Sequence, residues 1–208
     1  MKAVLISIQP KWCDLIASGK KTIEVRKTRP KIETPFMCYI YCTQSGKYKN
    51  GKSVKNIWLN RGTDRRFIGN GKVIGEFVCD YITDIKPFGF DDIAGFEKQT
   101  CLTSADIVKY LNGFYGYGWH ISDLKIYDKP RELSEFWAYN EELHKRYDSE
   151  GDFCCWDDTN EYGDRLNDCG DAYNNILNCY RCWEEWSGWC HHVTRPPQSW
   201  MYVEELQE

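Results

Sequence analysis

Short segments with the pattern of β-strands recur along this chain of 208 residues and constrain its fold more than any other feature. Alternation and a high content of Val and Ile predict strands at residues 3–8, 22–26, 36–42, 72–82, 118–127 and 199–205. Two short helices are predicted, at 10–18 after Pro10 and at 104–113, with glycines near their ends. Strands in excess of short helices indicate an α+β fold built on a compact β-barrel or a highly curved sheet.

Membrane insertion and export are not expected from the sequence. No apolar stretch approaches the roughly 20 residues that a membrane-spanning helix needs, and residues 2–8 are too short for a secretory segment. The chain contains eleven cysteines, an odd number. In an unexported chain we expect these to be reduced thiols or metal ligands. We therefore predict a cytoplasmic protein without a membrane segment.

Charge is divided unevenly along the chain. Residues 1–80 carry 16 Lys and Arg against 6 Asp and Glu, a net charge of +10, whereas residues 148–190 carry 2 against 11, a net charge of −9. Such a division predicts a basic binding surface and a separate acidic segment.

Residues 43–70 predict a long, partly mobile loop, because they are rich in Gly, Lys and Arg and lack clean periodicity. Tyr48 and Trp58 stand among its cations, a combination suited to phosphate contact and base stacking. A merely solvated loop is the alternative. We favour a nucleic-acid contact, with cations that include Lys47, Lys49, Arg65 and Arg66.

A cysteine-rich stretch follows in the acidic part of the chain. Cys179 and Cys182 have the two-residue spacing that lets both thiolates reach one tetrahedral Zn²⁺. Cys190 or a neighbouring histidine, with Cys155 or another upstream cysteine, would supply the second pair. Free thiols packed among aromatic side chains are the alternative. The predicted ligands of a structural zinc ion are thus Cys155, Cys179, Cys182 and Cys190.

Residues 22–26 alternate strictly between apolar and polar. The alternation directs Ile23 and Val25 to the core and Glu24 and Arg26 to the opposite face. With Lys21 they form a set that can grip a phosphate, polarise a carbonyl or bind a base edge. A simple ion pair on a barrel face is the alternative. We expect a solvent-accessible cleft, framed by Trp119, His120, Gln198, Trp200 and Tyr202, with His120 as a candidate ligand contact.

Gly19-Lys-Lys21-Thr-Ile-Glu24-Val-Arg26 matches the signature G-x-K-x-x-E-x-R, and through it the chain resembles the ASCH domain family. Flanking segments, among them residues 8–13 and 27–30, resemble a subgroup common in phages and prophages. The resemblance implies a PUA-like barrel domain formed by residues 1–136 and 191–208. Residues 137–190 would be an acidic insertion rich in Cys and Trp.

The resemblance also implies a function, namely binding of RNA or of a modified nucleoside or nucleotide around the signature. Some family members are hydrolases that release the acyl group from 4-acetylcytidine, with a lysine at the Lys21 position and a threonine where this chain has Glu24. Others have been proposed as ribonucleases. The alternative function is therefore an amidohydrolase or ribonuclease, with Lys21 as base or electrostatic group and Glu24 as proton carrier. A protein partner bound through the acidic lobe is a third possibility.

Overall fold

The computed structural model describes residues 1–44, 57–61, 63–86, 93–139 and 192–206. The chain divides into two compact units, Met1–Phe136 with Val193–Glu208, and Trp137–His192. In the second unit, a backbone bridge pairs Trp137 with His192, and their ring centroids lie 3.7 Å apart. The predicted boundaries of the insertion stay a prediction, because almost all of it lies outside the described residues.

The described secondary structure of the first unit consists mainly of short strands. They are β1 (Lys2–Ile8), β2 (Ile23–Arg26), β3 (Phe36–Cys42), β4 (Trp58–Arg61), β5 (Thr63–Ile68), β6 (Lys72–Cys79), β7 (Ile82–Ile85), β8 (Gly116–His120), β9 (Ser122–Arg131) and β10 (Trp200–Glu204). The helices are α1 (Pro10–Ala17), α2 (Ile93–Thr100) and α3 (Ser104–Leu111), with a 3₁₀ turn at Leu133–Glu135. In the described part of the chain, no helix is long and apolar enough to span a bilayer.

The strands form a five-stranded sheet in the order β10-β1-β3-β6-β9, a three-stranded sheet in the order β2-β8-β7, and the hairpin β4-β5. β1 and β3 run parallel, because α1 and β2 lie between them in sequence, and the other pairs are antiparallel. The α+β class is thus confirmed. The backbone pairs of the described strands do not close them into one barrel, so the closed barrel stays a prediction.

The main core lies against the five-stranded sheet. Val4, Ile6 and Ile8 on one face of β1 are almost completely buried in it. Trp119 of β8, in the smaller sheet, reaches the same core and meets the ring of Phe36 edge-on, with centroids 5.9 Å apart. The two sheets are therefore packed together through apolar side chains.

A second apolar cluster covers the outer face of the smaller sheet. It contains Ile23 and Val25 of β2, Ile85 of β7, and Phe96, Ile107 and Leu111 of α2 and α3. In α3 the Thr103 side chain accepts from the Asp106 amide while the Asp106 carboxylate accepts from the Thr103 amide. This capping box begins the helix where the sequence predicts, and Asn112 ends it in the left-handed conformation, with φ of 57°.

Three sequence predictions about elements are wrong in detail. The loop predicted at 43–70 contains the hairpin β4-β5, whose short, Arg-rich strands carry no apolar alternation. The strands predicted at 72–82 and 118–127 are each divided, into β6 and β7 and into β8 and β9. Asp123, the second residue of β9, has a positive φ of 47°, so the backbone departs from the extended conformation just after the second division. Helix α2 was not predicted.

Candidate ligand-binding site

Strand β2 carries the signature residues on the face that meets the main core. Glu24 lies opposite Trp119 of β8 and Arg26 lies opposite Tyr117, so these side chains share one face of the small sheet. The alternation predicted for β2 is present. The polar face is nevertheless covered, since Lys21, Glu24 and Arg26 are only 2%, 6% and 7% exposed. The expected solvent-accessible cleft is therefore wrong, because β2 lies between the helices and the larger sheet.

Lys21 is held by oxygen atoms from two elements. Its ammonium donates to the carbonyls of Ile23 and Thr100, both at 2.8 Å, and lies 3.3 Å from Glu24 Oε2. Thr100 is the last residue of α2, where the carbonyl end of a helix attracts a cation. An ammonium has three N–H groups and three oxygens lie around it, so Lys21 ties β2 to α2 as a charged donor.

Arg26 ties β2 to the larger sheet. Its Nη2 lies 3.1 Å from Glu24 Oε1 and donates to the carbonyl of Ser7 on β1 at 2.6 Å. Its Nη1 lies 3.4 Å from the Ser199 hydroxyl, just before β10. Glu24 is thus bound on one side by Lys21 and on the other by Arg26. We call these three residues the charged cluster. With two cations and one carboxylate, its net charge is +1.

Two buried N–H donors beside Glu24 have no hydrogen-bond partner among the described residues. They are Arg26 Nε and Trp119 Nε1. A buried donor left unpaired costs about 1–3 kcal/mol, so such groups are rare unless they have a use. Both belong to the face that carries Glu24. An acceptor atom from outside the chain could pair with them only by entering this covered face.

Aromatic rings surround the charged cluster. The Lys21 ammonium lies 5.3 Å from the ring centroid of the half-buried Trp12. The ring of Trp200 lies 6.0 Å from that of Trp119, and its Nε1 donates to the Thr28 hydroxyl at 3.0 Å. Tyr202 accepts from the Lys31 amide at 2.7 Å. Trp200 and Tyr202 therefore hold the segment that follows β2, while Gln198 is exposed.

His120 belongs to a different group of side chains. It follows Trp119 on β8, so strand alternation directs it to the other face. Its Nδ1 lies 2.6 Å from Asp80 Oδ1, and its ring is stacked on Tyr81 with centroids 4.4 Å apart. The structure does not bring His120 to the charged cluster, and its role as a ligand contact stays a prediction.

Burial favours the protonated thiol at two cysteines of the core. Burial raises the pKa of Cys13 well above its usual value, and Cys42 and Glu24 add in the same direction against an opposing effect of Arg26. Burial likewise raises the pKa of Cys79 to about 12. Because the thiolate is the reactive form, these cysteines are not nucleophiles at neutral pH.

The remaining predicted site residues lie partly outside the described residues. Arg65 and Arg66 are on β5 of the hairpin. The described part of the chain contains no group of three or more side chains able to hold a metal ion. Six predicted site residues lie outside the described part of the chain. They are Lys47, Lys49, Cys155, Cys179, Cys182 and Cys190.

Sequence reasoning missed the partners that complete the charged cluster. Ser7 and Thr100 contribute backbone carbonyls, which no side-chain pattern reveals. Tyr110 of α3 is also close. Burial raises the pKa of its hydroxyl, while Arg26 lowers it and Glu24 raises it. Tyr110 therefore lies within electrostatic reach of the charged cluster.

The fold and the site together define a small α+β domain in which a cationic cluster is buried between two sheets. The ASCH domain family matches residues 6–142, which include the complete signature and more than half of the chain. This protein therefore belongs to the ASCH domain family.

Solved structures similar to the chain include those of an ASCH protein from Zymomonas mobilis. The first is 15% identical, with a TM-score of 0.49, and the match covers 98% of this chain and 88% of that one. A Tyr-to-Phe mutant of the Zymomonas mobilis protein is 19% identical, with a TM-score of 0.44, and the match covers 64% and 77% of the two chains. No curated protein matches the chain.

Proposed function

We propose that this protein binds RNA, or a modified nucleoside or nucleotide, at the charged cluster of Lys21, Glu24 and Arg26. The observation that carries the proposal is the pair of buried donors without a partner, Arg26 Nε and Trp119 Nε1, in a cluster whose net charge is +1. A ligand that presents acceptor atoms or negative charge would satisfy both features. Base carbonyls and phosphate oxygens are such groups.

The aromatic surroundings support a ligand with a base. Trp12 and Trp200 are half-buried, with ring area left over after packing. Stacking of a base on such a ring contributes about 1–3 kcal/mol. Membership of the ASCH domain family points to the same class of ligand, because resemblance to this family implies binding of RNA or a nucleotide.

The geometry of Lys21 favours binding over hydrolysis. A lysine that abstracts a proton must present a free lone pair, whereas three oxygens surround this ammonium. The arrangement suits an electrostatic role. Release of acetate from acetylated cytidine by the wild-type protein, lost in Lys21→Ala, would instead support the hydrolase alternative.

The first prediction concerns Arg26→Lys, which keeps a cation beside Glu24 but removes the Nε donor and the planar fork of the guanidinium. We expect the affinity for nucleosides and short RNAs to fall at least tenfold, about 1.4 kcal/mol, as measured by titration calorimetry. The matched control is Arg131→Lys, the same change at an exposed ion pair with Glu135, which should bind as the wild type does.

A second measurement keeps this test independent of folding defects. A ligand that binds only the folded state raises the melting temperature of the wild-type protein. Failure of every nucleoside, nucleotide and short RNA to do so at millimolar concentration would refute the proposal, as would unchanged affinity in Arg26→Lys.

Other sequence predictions accompany the proposal. A structural zinc ion on the four cysteines, contacts from Lys47 and Lys49, and a protein partner at the acidic lobe all concern residues outside the described part. The closed PUA-like barrel, the phage-type subgroup and the cytoplasmic location also stay predictions. Metal analysis of protein purified without chelator would test the zinc site.

A further inference from the structure

An exposed aromatic surface lies between α3 and β8. Phe114 and Tyr115 are 70% and 68% exposed, and Tyr110 in the last turn of α3 is 42% exposed. Tyr117 follows at the start of β8 and is half-buried. Large rings with this exposure add little to the core. Neighbouring exposed apolar groups are typical of surfaces that bind a ligand or a partner molecule. We call these four residues, with Lys27 and Arg29, the aromatic patch.

Cations lie beside two rings of the aromatic patch. The Lys27 ammonium lies 5.4 Å from the ring centroid of Tyr110, and the Arg29 guanidinium lies 5.9 Å from that of Tyr117. Both cations are exposed. Asp84 of β7, opposite Tyr117, is an acidic neighbour, and the two cations outweigh it. The patch therefore combines flat rings with positive charge and is complementary to a strand of bases and phosphates.

The aromatic patch adjoins the charged cluster. Tyr117 lies opposite Arg26 on neighbouring strands, and the ammonium of Lys27, the residue after Arg26, lies 5.4 Å from the Tyr110 ring. Lys27 follows Arg26 directly along the chain, and Arg29 stands two residues further on. A nucleotide bound at the charged cluster would therefore have its neighbours within reach of the patch.

We propose that the aromatic patch binds single-stranded RNA, with bases stacked on Phe114 and Tyr115 and phosphates beside Lys27 and Arg29. The proposal rests on the proposed function, because it extends an RNA bound at Arg26 across the surface. Bases in a duplex are already stacked on both faces, so contact with these rings requires a single strand. Stacking does not distinguish bases strongly, and the recognition is tolerant of sequence.

The test is the double variant Phe114→Ala with Tyr115→Ala, assayed with oligouridine and with uridine monophosphate. Each ring contributes roughly tenfold to affinity, so oligouridine affinity should fall by roughly a hundredfold. Affinity for the mononucleotide should not change. Tyr81→Ala, which removes a ring that is 43% exposed and stacked on His120, is the matched control and should bind as the wild type does.

Salt dependence tests the cations separately. Each phosphate contact on a single strand contributes roughly 0.7 to the slope of log affinity against log salt concentration. The double variant Lys27→Gln with Arg29→Gln should therefore lower this slope by roughly 1.4.

The outcomes separate the patch from the charged cluster. If Arg26→Lys weakens oligouridine binding and the Phe114 and Tyr115 variant does not, the patch proposal is overturned and the proposed function stands. If only the Phe114 and Tyr115 variant weakens it, the patch stands and the site at Arg26 is wrong. Wild-type binding of uridine monophosphate without binding of oligouridine also overturns the patch. So does self-association that is lost in the same variant, which would make the patch a contact between copies of this chain.

Discussion

At the scale of single residues, the important property of the charged cluster is its burial. Charges taken out of water are stable only when they are paired and hydrogen-bonded. In the charged cluster, the Glu24 carboxylate is the counter-charge that the Lys21 ammonium and the Arg26 guanidinium share. Lys21 and Arg26 are buried to the same degree as core residues, so their substitution is expected to affect folding as well as any ligand that they bind.

Glu24→Gln is therefore predicted to destabilise the fold strongly. The change keeps the size of the side chain but leaves two buried cations without a counter-charge, at a cost of about 3–5 kcal/mol. Urea unfolding followed by tryptophan fluorescence would measure it. The control is Glu135→Gln, which removes an ion pair whose side chains are 44% and 45% exposed and should cost about 0–1 kcal/mol. Equal losses in the two variants would show that the buried pairs add nothing.

At the scale of elements, close packing of strands sets which positions tolerate a side chain. A Cβ atom at Gly75 of β6 would lie 2.5 Å from the Lys125 carbonyl and 3.1 Å from the Ile126 Cα on β9. Both atoms are backbone and cannot rotate away. At Gly19, after α1, a Cβ would meet nothing within 4 Å, and the constraint there is the positive φ of 70°. Glycine is thus required for space at one position and for backbone conformation at the other.

Asparagine at each position should separate these two causes. Gly75→Asn forces β6 away from β9 and should cost about 3 kcal/mol, the upper part of the range for overpacking. Gly19→Asn should cost less than about 1 kcal/mol, because asparagine adopts the left-handed conformation at helix ends. Thermal unfolding of both variants checks the order. A larger loss at Gly19 would mean that the β6-β9 contact yields easily.

At the scale of the whole molecule, segments distant in sequence pair with each other in the larger sheet. β10, near the end of the chain, pairs with β1 from its beginning, and β1 pairs in turn with β3. Arg26 links β2 to both β1 and the start of β10. Contacts between distant segments form together and break together, so the first unit should unfold cooperatively.

Hydrogen exchange should show this cooperativity. Amides of β1, β3 and β6 have strands on both sides in the larger sheet and should exchange only through global unfolding. β7 has only β8 as a neighbour among the described strands and should exchange faster. Mass spectrometry of peptides after timed exchange would measure both. Slower exchange in β7 than in β3 would contradict this arrangement of stability.

The sequence by itself determined the local features of this protein. Alternation in β2 directed Ile23 and Val25 away from Glu24 and Arg26, and the signature identified the family, because both depend on residues adjacent in the chain. Strand alternation also explains why His120 faces away from Trp119, although the sequence did not reveal Asp80 and Tyr81 as its partners.

Only the tertiary structure decided the environment of those residues. The polar face of β2 is buried because a second sheet covers it. The pattern of residues 19–26 does not predict that sheet, because its strands come from other parts of the chain. Carbonyls from Ser7 and Thr100 complete the charged cluster, and a carbonyl is present at every position of any sequence. The hairpin β4-β5 is formed by pairing between two short strands without apolar alternation, and Leu59 of β4 is buried in the main core. Burial and long-range pairing are properties of distant segments brought together, and they decide which local patterns become a site.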